Sequence, residues 1–196
     1  MSSLSIFVFD NADNFVIRRD LTSSELAAKS ATFSLPKSLA STPCSFYAVA
    51  NYDASSAKTR AALTALVENS VAAYNGTFAD VSTKALRSGG FVMSGSASKA
   101  VAAAGSSTDV AITLKRTVAK VAIQVTPSPQ FGSLYQGAVR INSITLSNGA
   151  TQTPVFPTKT DPRAFNFSTT QASDAASGKY RNLFYLYESP ARNVGS

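Results

Sequence analysis

At 196 residues, 44% of them hydrophobic and 15% charged, the chain is long enough to bury a sizeable globular core. It has no histidine, no tryptophan and a single cysteine, Cys44, which excludes Ser-His-Asp and Cys-His catalysis, His- or Cys-based zinc sites and any intramolecular disulfide. The net charge of +7 raises nucleic acid as a partner, but the basic residues are scattered, only Arg18-Arg19 and Lys115-Arg116 are adjacent, and no aromatic-basic interleaving occurs; we expect no nucleic acid.

Valine, threonine, phenylalanine and tyrosine are abundant and turn residues interrupt the apolar runs, so the expected fold class is all-β with one α-helix inserted at about 54–70. Ser3 to Phe9 carries apolar residues on both faces and predicts a well-buried strand. Asp10 to Asn14 predicts the turn of a hairpin, with Phe15-Val16-Ile17 as the second strand. The Asp/Asn cluster is no EF-hand: counted from Asp10, the sixth and twelfth positions are Phe15 and Leu21 instead of glycine and glutamate. Leu21 to Lys29 reads as a helical turn capped by Thr22 or Ser23, Thr32 to Leu35 as a short strand, and Ser45 to Asn51 as a core strand.

Asp53 to Asn69 predicts the helix, capped by Asp53 or Ser55, with Leu63, Leu66, Val67 and Val71 along one side. Ser88 to Gly95 predicts a short strand between glycines, and the Ala/Ser/Gly-rich Ser96 to Thr108 a loop. Asp109 to Thr126 is the longest β signal in the chain and reads as the central strand. Val110, Ile112, Leu114 and Val118 share one parity and Val121, Ile123 and Val125 the other, so the inward face switches, which a one-residue bulge explains. Alternation places Arg116 on the apolar face as a structural charge in a core strand, reaching the sheet edge or a carboxylate.

Pro127 to Gly137 predicts a loop. Val139 to Ser147 predicts a strand with a second change of parity, by a bulge or a crossing between sheets. Asn148-Gly149 marks a turn, Pro154 to Pro162 an irregular stretch, Ser168 to Lys179 a polar loop, and Tyr180 to Glu188 an aromatic strand. We expect one domain over 1–189, with 190–196 as linker or truncated tail.

The chemistry left is sparse. The chain has eleven carboxylates, most of them in predicted turns and in no spaced constellation, and the glycines form no phosphate-cradling pattern. We therefore expect no enzyme, no catalytic residue, no metal and no cofactor. Cys44 reads as a small core hydrophobe. No run is long enough for a transmembrane segment, and the first twenty residues form a strand and turn, so Met1 reads as an added or internal start.

Four ordered segments carry a resemblance: Leu4 to Asn11 (Leu-Ser-Ile-Phe-Val-Phe-Asp-Asn), Phe91 to Gly95, Leu114 to Val121, and Phe184 to Glu188. Together they resemble the N-terminal domain of the Bacteroidetes fimbrillin and Mfa-like fimbrial subunits of the type V pilus. The resemblance implies a transthyretin-like β-sandwich in a structural subunit of a cell-surface fimbria at the outer membrane. It implies other fimbrial subunits as partners, host or bacterial surface ligands for adhesion, and assembly by donor-strand insertion. On that basis Leu4, Ile6 and Val8 are the expected wall of the subunit-interaction groove. The alternative is a non-polymerising β-sandwich module that binds glycans or peptides.

Overall fold

The computed structural model describes residues 1–135, 137–157 and 164–188. The expected linker at 190–196 and the end of the expected irregular stretch at Pro154 to Pro162 lie outside the described residues. The strands, in chain order, are β1 (Leu4–Phe9), β2 (Phe15–Asp20), β3 (Pro43–Ala50), β4 (Val67–Glu68), β5 (Met93–Ala100), β6 (Lys115–Arg116), β7 (Val118–Val125), β8 (Ser143–Gly149), β9 (Thr153–Pro154), β10 (Phe167–Ala172), β11 (Asp174–Ala176) and β12 (Lys179–Tyr187). The helices are short: α1 (Ser23–Ala28), α2 (Arg60–Thr64), α3 (Phe78–Thr83) and α4 (Phe131–Leu134). This is the composition of an all-β sandwich fold, in antiparallel sheets.

Two compact units divide the chain. One comprises Met1–Glu68, Gly89–Thr117 and Pro154–Asp161; the other comprises Asn69–Ser88, Val118–Thr153 and Pro162–Ser196.

The first unit is built on a five-stranded sheet in the order β2-β1-β3-β5-β6. The doubly apolar β1 feeds both faces. Phe7 and Phe9 enter one cluster with Tyr47, Val49, Leu63, Val92 and Phe156, where the Phe9–Tyr47 and Tyr47–Phe156 rings meet edge to face at 5.8 and 5.4 Å. Val8 enters the opposite cluster with Cys44 and Phe46. The β1–β2 turn is closed by the Asp10 carboxylate, which accepts from the backbone of Ala12 at 2.9 Å and of Asn14 at 2.8 Å, with Asp13 in the left-handed region at φ 64°. At α1, Thr22 and Glu25 form a reciprocal capping box.

Several elements differ from expectation. The helix expected over 54–70 is confined to α2, capped by Thr59, and the chain then turns into β4. Asp53 accepts from the backbone N–H of Ser55, a turn that starts no helix, while Ala54 and Ala57 sink into the core. The expected stripe is not one helical face: Leu63 is buried from the helix, Leu66 packs on the same cluster from beyond it, where its carbonyl accepts from Val155 N–H at 2.8 Å, Val67 lies in β4, and Val71 is buried in the second unit. Thr32 to Leu35 has no strand; Phe33 and Leu35 pack on the Val8 cluster from an irregular segment. The Ser/Ala-rich residues from Ser96 onward continue β5 to Ala100, because all eight residues pair with β3 and tertiary pairing overrides weak propensity.

In the second unit β12 is the middle strand of the order β11-β12-β7, and β8 pairs with β10. Tyr74, Phe184, Tyr185 and Tyr187 are its bulkiest buried side chains among the described residues, with α3 packed on β12. The polar loop expected over 168–179 is strand instead: β10, then β11, then a two-residue hairpin turn at Ser177-Gly178 with φ 53° and 74°.

The stretch Asp109 to Thr126 is not one strand. β6 pairs with β5 in the first unit and β7 with β12 in the second, and the chain leaves one sheet for the other at Thr117. The change of parity is there: Val110, Ile112 and Leu114 are half-buried before it, and Val121, Ile123 and Val125 after it. No bulge is present, since the β7–β12 register runs unbroken from Val118 to Val125; β7 buries Val118 on one face and partly covers Val121, Ile123 and Val125 on the other. Likewise Ile144 and Leu146 lie in β8, whereas Val139 and Ile141 precede it.

Candidate functional site

Leu4, Ile6 and Val8 occupy alternate positions of β1 and point to one face. Val8 is fully buried, Ile6 packs against the same cluster, and Leu4 is half-exposed. Val16, Ile17, Leu35, Leu39, Val110 and Ile112 complete that face. Both hydrogen-bonding edges of β1 are taken, by β2 and by β3, so the row offers apolar side chains but no free backbone.

Arg116 lies on the edge strand of its sheet, one of the two outcomes expected for it, and not in a core strand. It is exposed on the two-residue β6, and its guanidinium carbon lies 4.4 Å from the centroid of the Phe91 ring. The partner found is thus an aromatic face, which accepts a guanidinium without burying its charge.

A cleft of about 320 Å³ is lined by Asp13, Thr59, Arg60, Ala61 and Thr64. Arg60 donates to Asp13 at 2.5 Å and to the Tyr47 hydroxyl at 2.8 Å, and both bonds hold its pKa above the ordinary value, Asp13 foremost. The guanidinium is thus engaged by two partners at the cleft. Elsewhere the ionisable groups are tuned by turns. Asp10 is held below the usual carboxylate range by the Asn14 side-chain amide first, Asp53 by Ser55, and Glu25 by the Thr22 backbone N–H and then its hydroxyl. Burial, the larger cause, and the Asp10 charge push the Cys44 thiol up, away from thiolate reactivity. Among the described residues no three His, Cys, Asp or Glu side chains converge on a metal-sized site, and no helix is long and apolar enough to cross a membrane.

Sequence reasoning missed the carboxamides. Asn51, read as the end of a strand, sits at φ 59°. It accepts from Ser2 N–H at 2.8 Å and Ser3 N–H at 3.2 Å and donates to Phe91 C=O at 2.6 Å, fixing the entry to β1. In the second unit Gln171, Asn75 and Asn182 serve backbone groups of the sheet. The one signal for them in the sequence is an amide interrupting an apolar run, as Asn182 does before Leu183-Phe184. Their partners lie as many as 110 residues away.

No protein-family model and no curated protein matches the sequence. Solved structures do match the fold. The tip fimbrial protein Mfa3 of Porphyromonas gingivalis, with its C-terminus truncated, superposes with a TM-score of 0.63 at 17% identity, over 98% of this chain and 65% of that one. A fimbrial assembly protein of Parabacteroides distasonis gives 0.57 at 14% identity, over 96% of this chain and 69% of that one. A candidate adhesin of Bacteroides thetaiotaomicron gives 0.55 at 13%, over the whole of this chain and 66% of the other. The chain thus spans about two thirds of the length of each. The four segments singled out in the sequence and the superposition over nearly every residue agree: this chain has the fold of the Mfa-type fimbrial proteins of Bacteroidetes.

Proposed function

We propose that this chain is a non-enzymatic structural subunit of a bacterial cell-surface fimbria that assembles with other subunits by accepting an extended strand. The observation that carries the reading is the likeness to fimbrial proteins across 98% of the chain. In this reading 1–189 act as one domain. The Leu4–Ile6–Val8 row contributes an apolar side-chain wall against the neighbouring subunit, since burial of alternate side chains gives strong polymer contacts without chemistry.

The test is expression of the full-length protein in a fimbriated Bacteroidetes host. Protease-resistant ladders on gels containing this chain are expected. A protein that stays monomeric in that setting and is retained on a glycan array would overturn the reading in favour of a ligand-binding module. Assembly unchanged by Ile6→Asp would remove the β1 row from the contact.

A further inference from the structure

The two edges of the sheet in the second unit are in opposite states. β11 covers β12 only along Lys179 to Arg181. Beyond Arg181 the same edge of β12 is met by side-chain amides. Leu183 N–H donates to Gln171 Oε1 at 2.8 Å, and Gln171 Nε2 donates back to Leu183 C=O at 2.9 Å. Tyr185 N–H donates to Asn75 Oδ1 at 2.9 Å, and Asn75 Nδ2 donates back to Tyr185 C=O at 2.8 Å. Each carboxamide presents to one residue of β12 the donor and acceptor that a neighbouring strand would present.

On the other edge the alternation of an antiparallel ladder decides which groups are used. With Leu183 and Tyr185 bound to the amides, β12 turns Asn182, Phe184 and Leu186 toward β7, opposite Ile123, Val121 and Ala119. The backbone groups of Lys120, Ala122 and Gln124 therefore point away from β12. These three residues are exposed, and among the described residues no strand pairs with β7 on that side. The inward row Val121, Ile123 and Val125 is only half-buried, as are Ile144 and Leu146 of β8. An open edge and an incompletely covered apolar row thus coincide on β7, whereas the far edge of β12 is closed from Lys179 to Tyr185.

We propose that the outer edge of β7 is the docking edge for an extended segment of another subunit, and that Gln171 and Asn75 are edge caps that keep such a segment off β12. This rests on the strand-accepting function proposed above. The eight residues of β7 offer roughly 27 Å of edge at about 3.4 Å per residue. The segment's alternate residues are apolar, to extend the Val121–Ile123–Val125 row. On its other face it carries a carboxylate opposite Lys120, the one charge on β7 of a chain whose net charge is +7.

The test reads residue-level amide exchange by NMR on the full chain. The probe is a synthetic ten-residue peptide alternating valine and threonine with one central glutamate; a control carries lysine in its place. The glutamate peptide slows exchange at Lys120, Ala122 and Gln124 by about tenfold or more, leaves Leu183 and Tyr185 unchanged, and binds more tightly than the control. In the Gln171→Ala/Asn75→Ala double variant the free chain loses protection at Leu183 and Tyr185, and the peptide restores it there. Exchange on β7 unaffected by saturating peptide, or protection gained at Leu183 in the unaltered chain, overturns the proposal.

In the fimbriated host, Ala122→Pro removes an N–H that β12 does not use, and Lys120→Glu alters the edge without touching the backbone. Both are expected to abolish ladders while the melting temperature stays within a few degrees. Ladders that persist in both variants overturn the edge assignment and leave fimbrial assembly standing. A wild-type chain without ladders overturns assembly, and the peptide experiment still decides the edge.

Discussion

Substitution of Asn51 separates the value of a carboxamide clip from the strain of the backbone that holds it. Asn51→Gly keeps the left-handed conformation at φ 59° but removes the acceptor of the Ser2 and Ser3 N–H groups and the donor to Phe91 C=O. The Ser2 hydroxyl keeps its bond to Gly89 C=O, so the net loss is about three bonds. At about 1 kcal/mol net per bond, the expected destabilisation is about 3 kcal/mol. Asn51→Ala loses the same bonds and adds about 1 kcal/mol for a Cβ in the left-handed region, a gap narrowed by the greater freedom of glycine in the unfolded chain. Urea unfolding followed by circular dichroism measures both, provided the slope is unchanged. For a chain of this length about 3 kcal/mol corresponds to a fall of roughly 6–12 °C in Tm. A loss below about 1 kcal/mol in the glycine variant would refute the assignment of Asn51 as the clip at the entry to β1.

Arg116→Ala is expected to cost no more than about 1 kcal/mol, the value of an exposed cation–π contact; a loss above about 3 kcal/mol in the same unfolding assay would return Arg116 to the interior. Gly95→Ala places a Cβ at 2.2 Å from the carbonyl oxygen of Thr113, backbone that cannot yield cheaply, so a drop in Tm of several degrees is expected, and an unchanged Tm would mean that the 109–114 segment does not cross there. With no histidine, stability is expected to stay flat between about pH 5 and 8. Asp10, Glu25 and Asp53 have depressed folded-state pKa values, so their contribution is present above the ordinary carboxylate range and is lost as pH falls through the folded values. The triple variant Asp10→Asn/Glu25→Gln/Asp53→Asn should therefore show a shallower acid limb below about pH 4 in pH-dependent melts; an identical limb would contradict the role of these turns. Cys44 should react with a thiol reagent at the rate of unfolding, and fast labelling of the native chain would contradict its burial.

Period-two alternation, turn residues and capping pairs act between neighbours in the chain, and they were legible in the sequence. β1, the Asp10 turn, β3, β12 and the Thr22 cap could be placed from the residues alone, and the all-β fold class with them. The absence of histidine and the single cysteine by themselves exclude whole classes of chemistry. Alternation tells which side of a strand is apolar, but not which strand lies beside it. The run from Asp109 to Thr126 therefore looked like one strand, although Thr117 divides it between two sheets. The same blindness made the Ser/Ala residues of β5 and the polar residues of β10 look like loops, because their strand character comes from partners distant in sequence. Whether the Leu4–Ile6–Val8 row had a free edge, and whether Arg116 met a carboxylate or a ring, depended on neighbours no local pattern encodes. Only the tertiary structure brought Gln171 and Asn75 to the edge of β12, because an amide can replace a strand only where the folded chain has already delivered it.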